Sequence, residues 1–223
     1  MGFRILAVFA LLLFSVFAQA APVKRLVQDV KLPTQGVIEQ QSFTNLLAAT
    51  TNTVLSANAG ATSAAVATVT TFAGQPDSPR NLIITPGGTT TDIETCVVTV
   101  AGTNIFDRAI SETFAFAANT SSATTGNKAF KTVTSASWAA DCESGSFGAT
   151  WSIGIAEKIG LKRCMGEAGA WLHSSIDGTK ETTAATIAAD ADEVEKNTAN
   201  FNGTMDGTSD FKAYFVQNFG CFP

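Results

Sequence analysis

The chain has 223 residues, of which 45% are hydrophobic and 15% are charged, so it is too apolar and too weakly charged to be disordered. We expect one folded domain with a hydrophobic core. The formal net charge of −5 argues against direct binding of DNA or RNA, which usually requires a basic surface.

Residues 1–20 have the pattern of a signal peptide. Arg4 supplies a basic start, residues 5–17 are apolar, and Ala18 and Ala20 form a small-residue cleavage motif. The apolar run is shorter than the roughly 20 residues of a membrane-spanning helix, so no membrane span is expected. The alternative is a start codon assigned upstream of the true one.

Residues 21–48 mix charged and apolar side chains and contain Pro33, which predicts an extended N-terminal arm with one edge strand. Residues 49–223 are expected to form a single β-rich domain. No charged residue occurs between Gln40 and Pro76.

This uncharged segment predicts two strands, one at Val54 and Leu55 and one from Val66 to Phe72, joined by a turn at residues 58–61. An uncharged strand pair suits burial against a neighbouring subunit. The alternative is a low-complexity linker.

The next strands follow period-two patterns. A short apolar strand is predicted at residues 81–85, ended by Pro86 and two glycines. A second is predicted at residues 96–101, with alternate side chains on one face. A turn at residues 102–104 leads into a third strand at 105–116, which completes a hairpin. Glu112 interrupts the apolar face of that strand, so this end is expected to reach solvent.

Three later segments are also predicted to be strands, at residues 129–138, 149–155 and 211–219. A fourth segment is different. The stretch 188–199 is acidic and lacks an apolar stripe, so it is predicted to be loop or strand and not helix. Together the segments predict an all-β fold, an antiparallel sandwich or partly open barrel with an extended N-terminal arm.

Several of these segments resemble a recurrent pattern in the virion structural proteins of tailed phages, and the similarity covers roughly residues 23–217. The resemblance implies a capsid-surface or decoration protein, or a head or tail component, with other virion proteins and sister subunits as partners. It implies no catalytic residue and no cofactor. The segments are PRNLIITPGGTT (79–90), VTVAGTNIF (98–106), ISETFAF (110–116), TTGNKAFKTVTS (124–135), KIGL (158–161) and VEKNT (194–198).

The signal-peptide pattern departs from this resemblance, because phage structural proteins normally assemble in the host cytoplasm. The expected location is therefore the virion, or the periplasm or exterior of the cell if the signal peptide is genuine. In the second case the chain would be a secreted bacterial β-sandwich that binds a glycan or surface polymer.

Cys96, Cys142, Cys164 and Cys221 form an even set without the CxxC spacing of zinc or redox sites. Export would favour two disulfides, with three possible connectivities. The alternative is four free thiols in a protein assembled in the cytoplasm.

The candidate binding residues are few. His173 has no partners at a recognisable catalytic spacing, so an enzyme is not expected. Of the three tryptophans, Trp151 alternates with apolar residues and is predicted to be core, which leaves Trp138 and Trp171 as candidates for a sugar-binding face. Oxygen-bearing side chains that suit calcium, but more often form solvated acidic turns, are Asn202, Asp206 and Asp210, and Asp190, Asp192, Glu193 and Glu195.

Overall fold

The computed structural model describes residues 37–59, 66–139, 142–144 and 148–216, all within one compact unit that spans Gly36–Pro223. This part of the chain is all-β, and every strand pair is antiparallel, as the sequence predicted. The strands are β1 (Ile38–Phe43), β2 (Thr50–Ala59), β3 (Ala67–Val69), β4 (Arg80–Gly88), β5 (Cys96–Thr103), β6 (Ala109–Phe116), β7 (Thr124–Phe130), β8 (Thr132–Trp138), β9 (Ala149–Gly160), β10 (Trp171–Ile176), β11 (Thr179–Lys180), β12 (Thr186–Ala188), β13 (Thr198–Asn200) and β14 (Phe211–Val216).

The strands form three sheets. The first has the order β1-β14-β10-β11 and the third has the order β3-β8-β5-β6. The second has the order β12-β13-β9-β4-β7, and β2 also pairs with β9. One-turn 3-10 helices in the connections include Thr90–Asp92, Ala168–Ala170 and Val194–Lys196.

Two hydrophobic cores hold the sheets together, and β9 contributes to both. Ile153 and Ile155 belong to the larger core, between the second and third sheets, with Val98, Phe114 and other buried side chains. Ile159, nearer the end of β9, belongs to the smaller core under the first sheet. The long strand therefore ties the two halves of the fold together.

The hairpin predicted around residues 96–116 is present as β5 and β6, with Cys96 opposite Phe116 and Thr103 opposite Ala109. The preceding strand, β4, is longer than predicted because it continues through Pro86 to Gly88. β7 pairs with β4 only as far as Ile84, whereas β9 pairs with β4 from Arg80 to Gly88. Pro86 therefore lies where one side of the strand is free, and there its missing N–H costs no ladder hydrogen bond.

The two strands of the uncharged segment do not form a hairpin, and this part of the prediction is wrong. β2 pairs with β9 in the second sheet, whereas β3 pairs with β8 in the third. Val54 and Leu55 are buried in the chain's own larger core. Most other described side chains of the segment are exposed or half-buried.

The segment at residues 188–199 is a strand end, a one-turn 3-10 helix and the start of β13, in agreement with the prediction of loop or strand. β1 is the edge strand placed in the arm, and it pairs with β14 from Ile38 opposite Val216 to Phe43 opposite Phe211. Most of β7 and the strands β10, β11 and β12 were not predicted as strands. The signal-peptide segment, the arm before residue 37, Phe219 and Cys221 lie outside the described residues.

Glu112 is half-buried, and its carboxylate is turned toward β7. Its Oε1 accepts a hydrogen bond from the backbone N–H of Asn127 at 2.6 Å, and the N–H of Lys128 lies 3.3 Å from both oxygens. A Cβ at Gly126 would lie 2.3 Å from the carboxylate, so a larger residue there would displace the carboxylate from this position. Burial raises the pKa of Glu112 above its ordinary 4.5, although these N–H groups and the ammonium groups of Lys128 and Lys158 oppose the shift.

The raised pKa of Glu112 predicts that this residue makes folding stability depend on pH. The folded state holds the proton more tightly than the unfolded state, so the contribution is greatest below the ordinary pKa and is lost as pH rises through the raised value. We expect the difference in unfolding free energy between wild type and Glu112→Gln to become less favourable to wild type as pH rises through that window. Urea titrations across it measure the difference. Glu94→Gln, at an exposed carboxylate, is the control, and a difference that grows with pH would contradict the prediction.

Candidate functional site

A trough opens beside β9 where this strand changes its neighbour. β2 pairs with the first part of β9, beginning with Thr50 opposite Ile155. β13 pairs with the end of β9, where Ala199 lies opposite Ile159 and Thr198 opposite Gly160. Neither strand pairs with residues 156–158, so β2 and β13 leave a gap between them.

Gly154 allows the chain to enter β2 at the side of this gap. A Cβ at position 154 would lie 1.7 Å from the carbonyl oxygen of Thr50 and 2.5 Å from the carbonyl carbon of Thr51. Only glycine permits such a close approach of two backbones. The crossing of residues 50–51 over β9 forms one wall of the trough.

The trough consists of two adjoining cavities of about 300 Å³ and about 490 Å³. Ala49, Glu157 and Asn200 line both. The smaller cavity continues over β4 and β7, and the larger one continues along residues 201–205. Both volumes reach the range of small-molecule sites, which begins at roughly 300 Å³.

Polar side chains on neighbouring strands meet in the trough. The Asn200 Nδ2 group of β13 donates a hydrogen bond to Glu157 Oε2 of β9 at 3.2 Å. Beside it, Lys158 Nζ donates to Asn127 Oδ1 of β7 at 2.9 Å. One carboxylate and one ammonium group of β9 are therefore each held by an amide of another strand, β13 or β7.

A buried asparagine holds the strands beneath these groups. Asn81 is fully buried, and its Oδ1 accepts a hydrogen bond from the backbone N–H of Lys158 at 2.9 Å. Its Nδ2 donates to the carbonyl oxygen of Gly126 at 2.8 Å. One side chain of β4 thus links β9 to β7 where the ladders of β4 with both neighbours shift register.

The cysteines lie away from the trough. Cys96 and Cys142 form a disulfide with their Cα atoms 4.7 Å apart, and both are buried. It fastens the start of β5 to residues 142–144, where Glu94 N–H also donates to the carbonyl oxygen of Cys142. Cys164 is disulfide-bonded as well and is buried.

The two tryptophans proposed as a sugar-binding face do not form one. Trp138 is 1% exposed, and its ring packs 6.3 Å from that of Trp151, so it belongs to the larger core and the proposed role is wrong for this residue. Trp171 is half-buried and stacks on Phe215, with ring centroids 6.3 Å apart and planes within 2°. The two tryptophans belong to different cores.

His173 stacks on Tyr214 of the adjacent strand, with ring centroids 4.4 Å apart. Among the described residues, no three His, Cys, Asp or Glu side chains are grouped so that they could hold a metal ion. No helix in the described ranges has the length and apolarity needed to span a membrane.

The acidic side chains considered for calcium binding make hydrogen bonds or ion pairs with other side chains and backbone groups of the chain. Asp206 Oδ1 accepts hydrogen bonds from the Thr208 backbone and hydroxyl and from Ser209 N–H, and these bonds hold the pKa of Asp206 below its ordinary value. The acidic stretch that begins at Asp190 is balanced by Lys128 and Lys196, which form ion pairs with its carboxylates.

No protein-family model, curated protein or solved structure matches this chain. The trough was missed by sequence reasoning because its residues are dispersed along the chain, from Ala49 to Asn200. They meet only through the register of β9 with three other strands. No local motif marks them.

Proposed function

We propose that this chain is a non-enzymatic structural protein of a phage particle, which coats or decorates the capsid or forms part of the head or tail by docking against other particle proteins. The observation that supports the proposal best is the antiparallel β fold of the described residues, since a protein that acts by packing needs a rigid scaffold and no reactive centre. The segments that resemble phage structural proteins include most of β4, β5, β6 and β7.

An exposed apolar patch at one end of the first sheet is the candidate docking surface. It consists of Val37 and Ile38, which are 54% and 61% exposed, and Leu172, which is 46% exposed and lies at the bulge in β10. Covering the patch with another subunit would contribute about 25 cal/mol for each Å² of apolar surface removed from water, before entropy costs.

The location can be tested by density-gradient fractionation of a culture that produces the chain, with an antibody raised against the purified protein. We expect the antibody signal to sediment with phage particles. Signal that remains in the particle-free medium would contradict the proposal. That result would instead support the alternative, a secreted β-sandwich protein that binds a glycan or surface polymer, which the signal-peptide pattern and the disulfides also favour.

Ile38→Lys should reduce incorporation into particles at least about tenfold, because it places a charge in a surface that must lose its water. The full-length chain would carry a tag and be expressed from a plasmid in infected cells, and the tag would be quantified in purified particles. Val97→Lys is the matched control, since Val97 is also an exposed apolar strand residue, at 47%, but lies on the third sheet. Equal incorporation of both variants and wild type would exclude this patch as the docking surface.

A further inference from the structure

We propose that the trough beside β9 binds an uncharged oligosaccharide. This activity goes beyond the structural role, because it assigns a ligand to a surface other than the proposed docking patch. The proposal rests on the chemistry of Glu157, Lys158 and Asn200, on the apolar surface between them, and on the rigidity of the strands that carry them.

The charges in the trough favour a neutral ligand. Glu157 is exposed and Lys158 is half-buried, and they are adjacent on β9, so the trough carries one negative and one positive group. The whole chain has a net charge of −5, which repels polyanions such as nucleic acids. An uncharged ligand is repelled neither by the net negative charge of the chain nor by either charged group of the trough.

The polar groups match the hydrogen bonding of sugar hydroxyls, which both donate and accept. A carboxylate accepts, an ammonium group donates, and an amide does both. The Glu157–Asn200 and Lys158–Asn127 hydrogen bonds already fix the side chains, so less conformational entropy is lost on binding. Ile83 and Ala49 supply apolar surface between them, which suits the C–H faces of a pyranose ring.

The shape of the trough favours a linear chain of sugars over a peptide. Its two cavities share a wall and extend from β7 across β9 to residues 201–205. A peptide added as a strand would need a free edge, but the gap between β2 and β13 involves only residues 156–158 of β9. An ordinary strand has about five or six residues, so the gap is too short for strand addition.

The test uses the full-length, isotope-labelled protein and a panel of defined probes. The neutral probes are maltohexaose, cellohexaose, mannohexaose and chitohexaose, the anionic probe is hexagalacturonate, and a mixture of random hexapeptides represents peptide ligands. We expect at least one neutral hexasaccharide to shift the amide signals of Lys158 and Asn200, with affinity then measured by calorimetry. Shifts at these positions caused only by hexagalacturonate or by the peptides, or by no probe, would overturn the proposal.

Two variants locate the binding. Ala49→Trp fills the part of the trough shared by both cavities and should weaken binding at least about tenfold, and Glu157→Gln should weaken it about tenfold by removing the charged acceptor. Ala117→Trp and Glu94→Gln make the same changes at exposed positions that do not line the trough, and should bind as wild type does. Unchanged affinity of Ala49→Trp, in a protein with a wild-type spectrum, would overturn the assignment of the site.

Discussion

Replacing Cys96 and Cys142 together by Ala should lower the free energy of unfolding by about 4 kcal/mol, as the chain-entropy estimate gives for a cross-link that spans 46 residues. The disulfide closes a long loop that contains β6, β7 and β8, so without it the unfolded chain gains much freedom. This is a large part of the roughly 5–15 kcal/mol that stabilises an ordinary domain. Chemical denaturation followed by tryptophan fluorescence is a suitable measurement, because Trp138 and Trp151 are buried in the same core as this disulfide.

A reducing agent provides the control for this prediction. Under reducing conditions wild type also loses the cross-link, so its denaturation midpoint should approach that of the double variant. The disulfide of Cys164 is present in both proteins and therefore does not explain a difference between them. Equal midpoints for the two proteins under oxidising conditions would show that the disulfide contributes little to stability.

The contacts of residues 142–144 explain why this disulfide is placed where it is. Asp92 is buried, its Oδ2 accepts from Gly148 N–H at 3.0 Å, and its Oδ1 accepts from the Ser144 hydroxyl at 3.2 Å. Ser144 N–H donates to the carbonyl oxygen of Asp92 at 2.7 Å. The disulfide therefore reinforces a connection that hydrogen bonds also make, between the start of β5 and the chain that leads into β9.

The sequence was most informative where one strand face is buried and the other is not. Val98 and Val100 on β5, and Phe211 and Phe215 on β14, alternate with less buried neighbours as their period-two spacing predicted. The position of Glu112 in the pattern shows which face of the strand carries it but not which groups it contacts. The N–H groups that donate to its carboxylate belong to β7, 15 and 16 residues further along the chain.

Pairing and the candidate site could not be predicted, because both depend on which distant strands meet. The uncharged segment does contain two strands, but β2 pairs with β9 and β3 pairs with β8 instead of with each other. The trough follows from the same long-range register, in which Thr50 reaches Ile155 and Ala199 reaches Ile159. Trp138 was a candidate for a sugar-binding face, with core or interface as the alternative, and it lies in the core, where burial of its large ring is favourable.

Replacing Arg80 by Met should destabilise the fold by about 3–5 kcal/mol, the range seen when one partner of a buried charged network is removed. Arg80 is fully buried beneath the trough. Its Nε donates to the carbonyl oxygen of Ala156 at 2.8 Å, and its Nη1 donates to the carbonyl oxygen of Leu47 at 2.6 Å. Nη1 also lies 3.4 Å from Asp77 Oδ1, and burial lowers the pKa of the guanidinium while Asp77 opposes that shift.

The loss is expected to be large because methionine fills the volume but leaves the acceptors without a donor. The carbonyl group of Ala156 would remain buried and unpaired, the carbonyl group of Leu47 would lose its donor, and Asp77 would lose its cation. Arg108→Met removes an exposed arginine and should change stability by less than about 0.5 kcal/mol. The stability loss of Arg80→Lys should lie between those of Arg80→Met and Arg108→Met. An ammonium group keeps the charge but lacks the planar fork that reaches two carbonyl groups.

Adding Asp77→Asn to Arg80→Met separates the charge from the hydrogen bonds. Asp77 Oδ2 accepts from Leu47 N–H at 2.7 Å, and an asparagine oxygen keeps that bond without an uncompensated charge. If the lost ion pair causes most of the destabilisation, the double variant should recover a large part of it in urea titrations. If the unpaired carbonyl groups dominate, as their short distances to Arg80 lead us to expect, the double variant should remain close to Arg80→Met. A stability loss below about 1 kcal/mol for Arg80→Met itself would show that water or a relaxed backbone satisfies these carbonyl groups without the guanidinium.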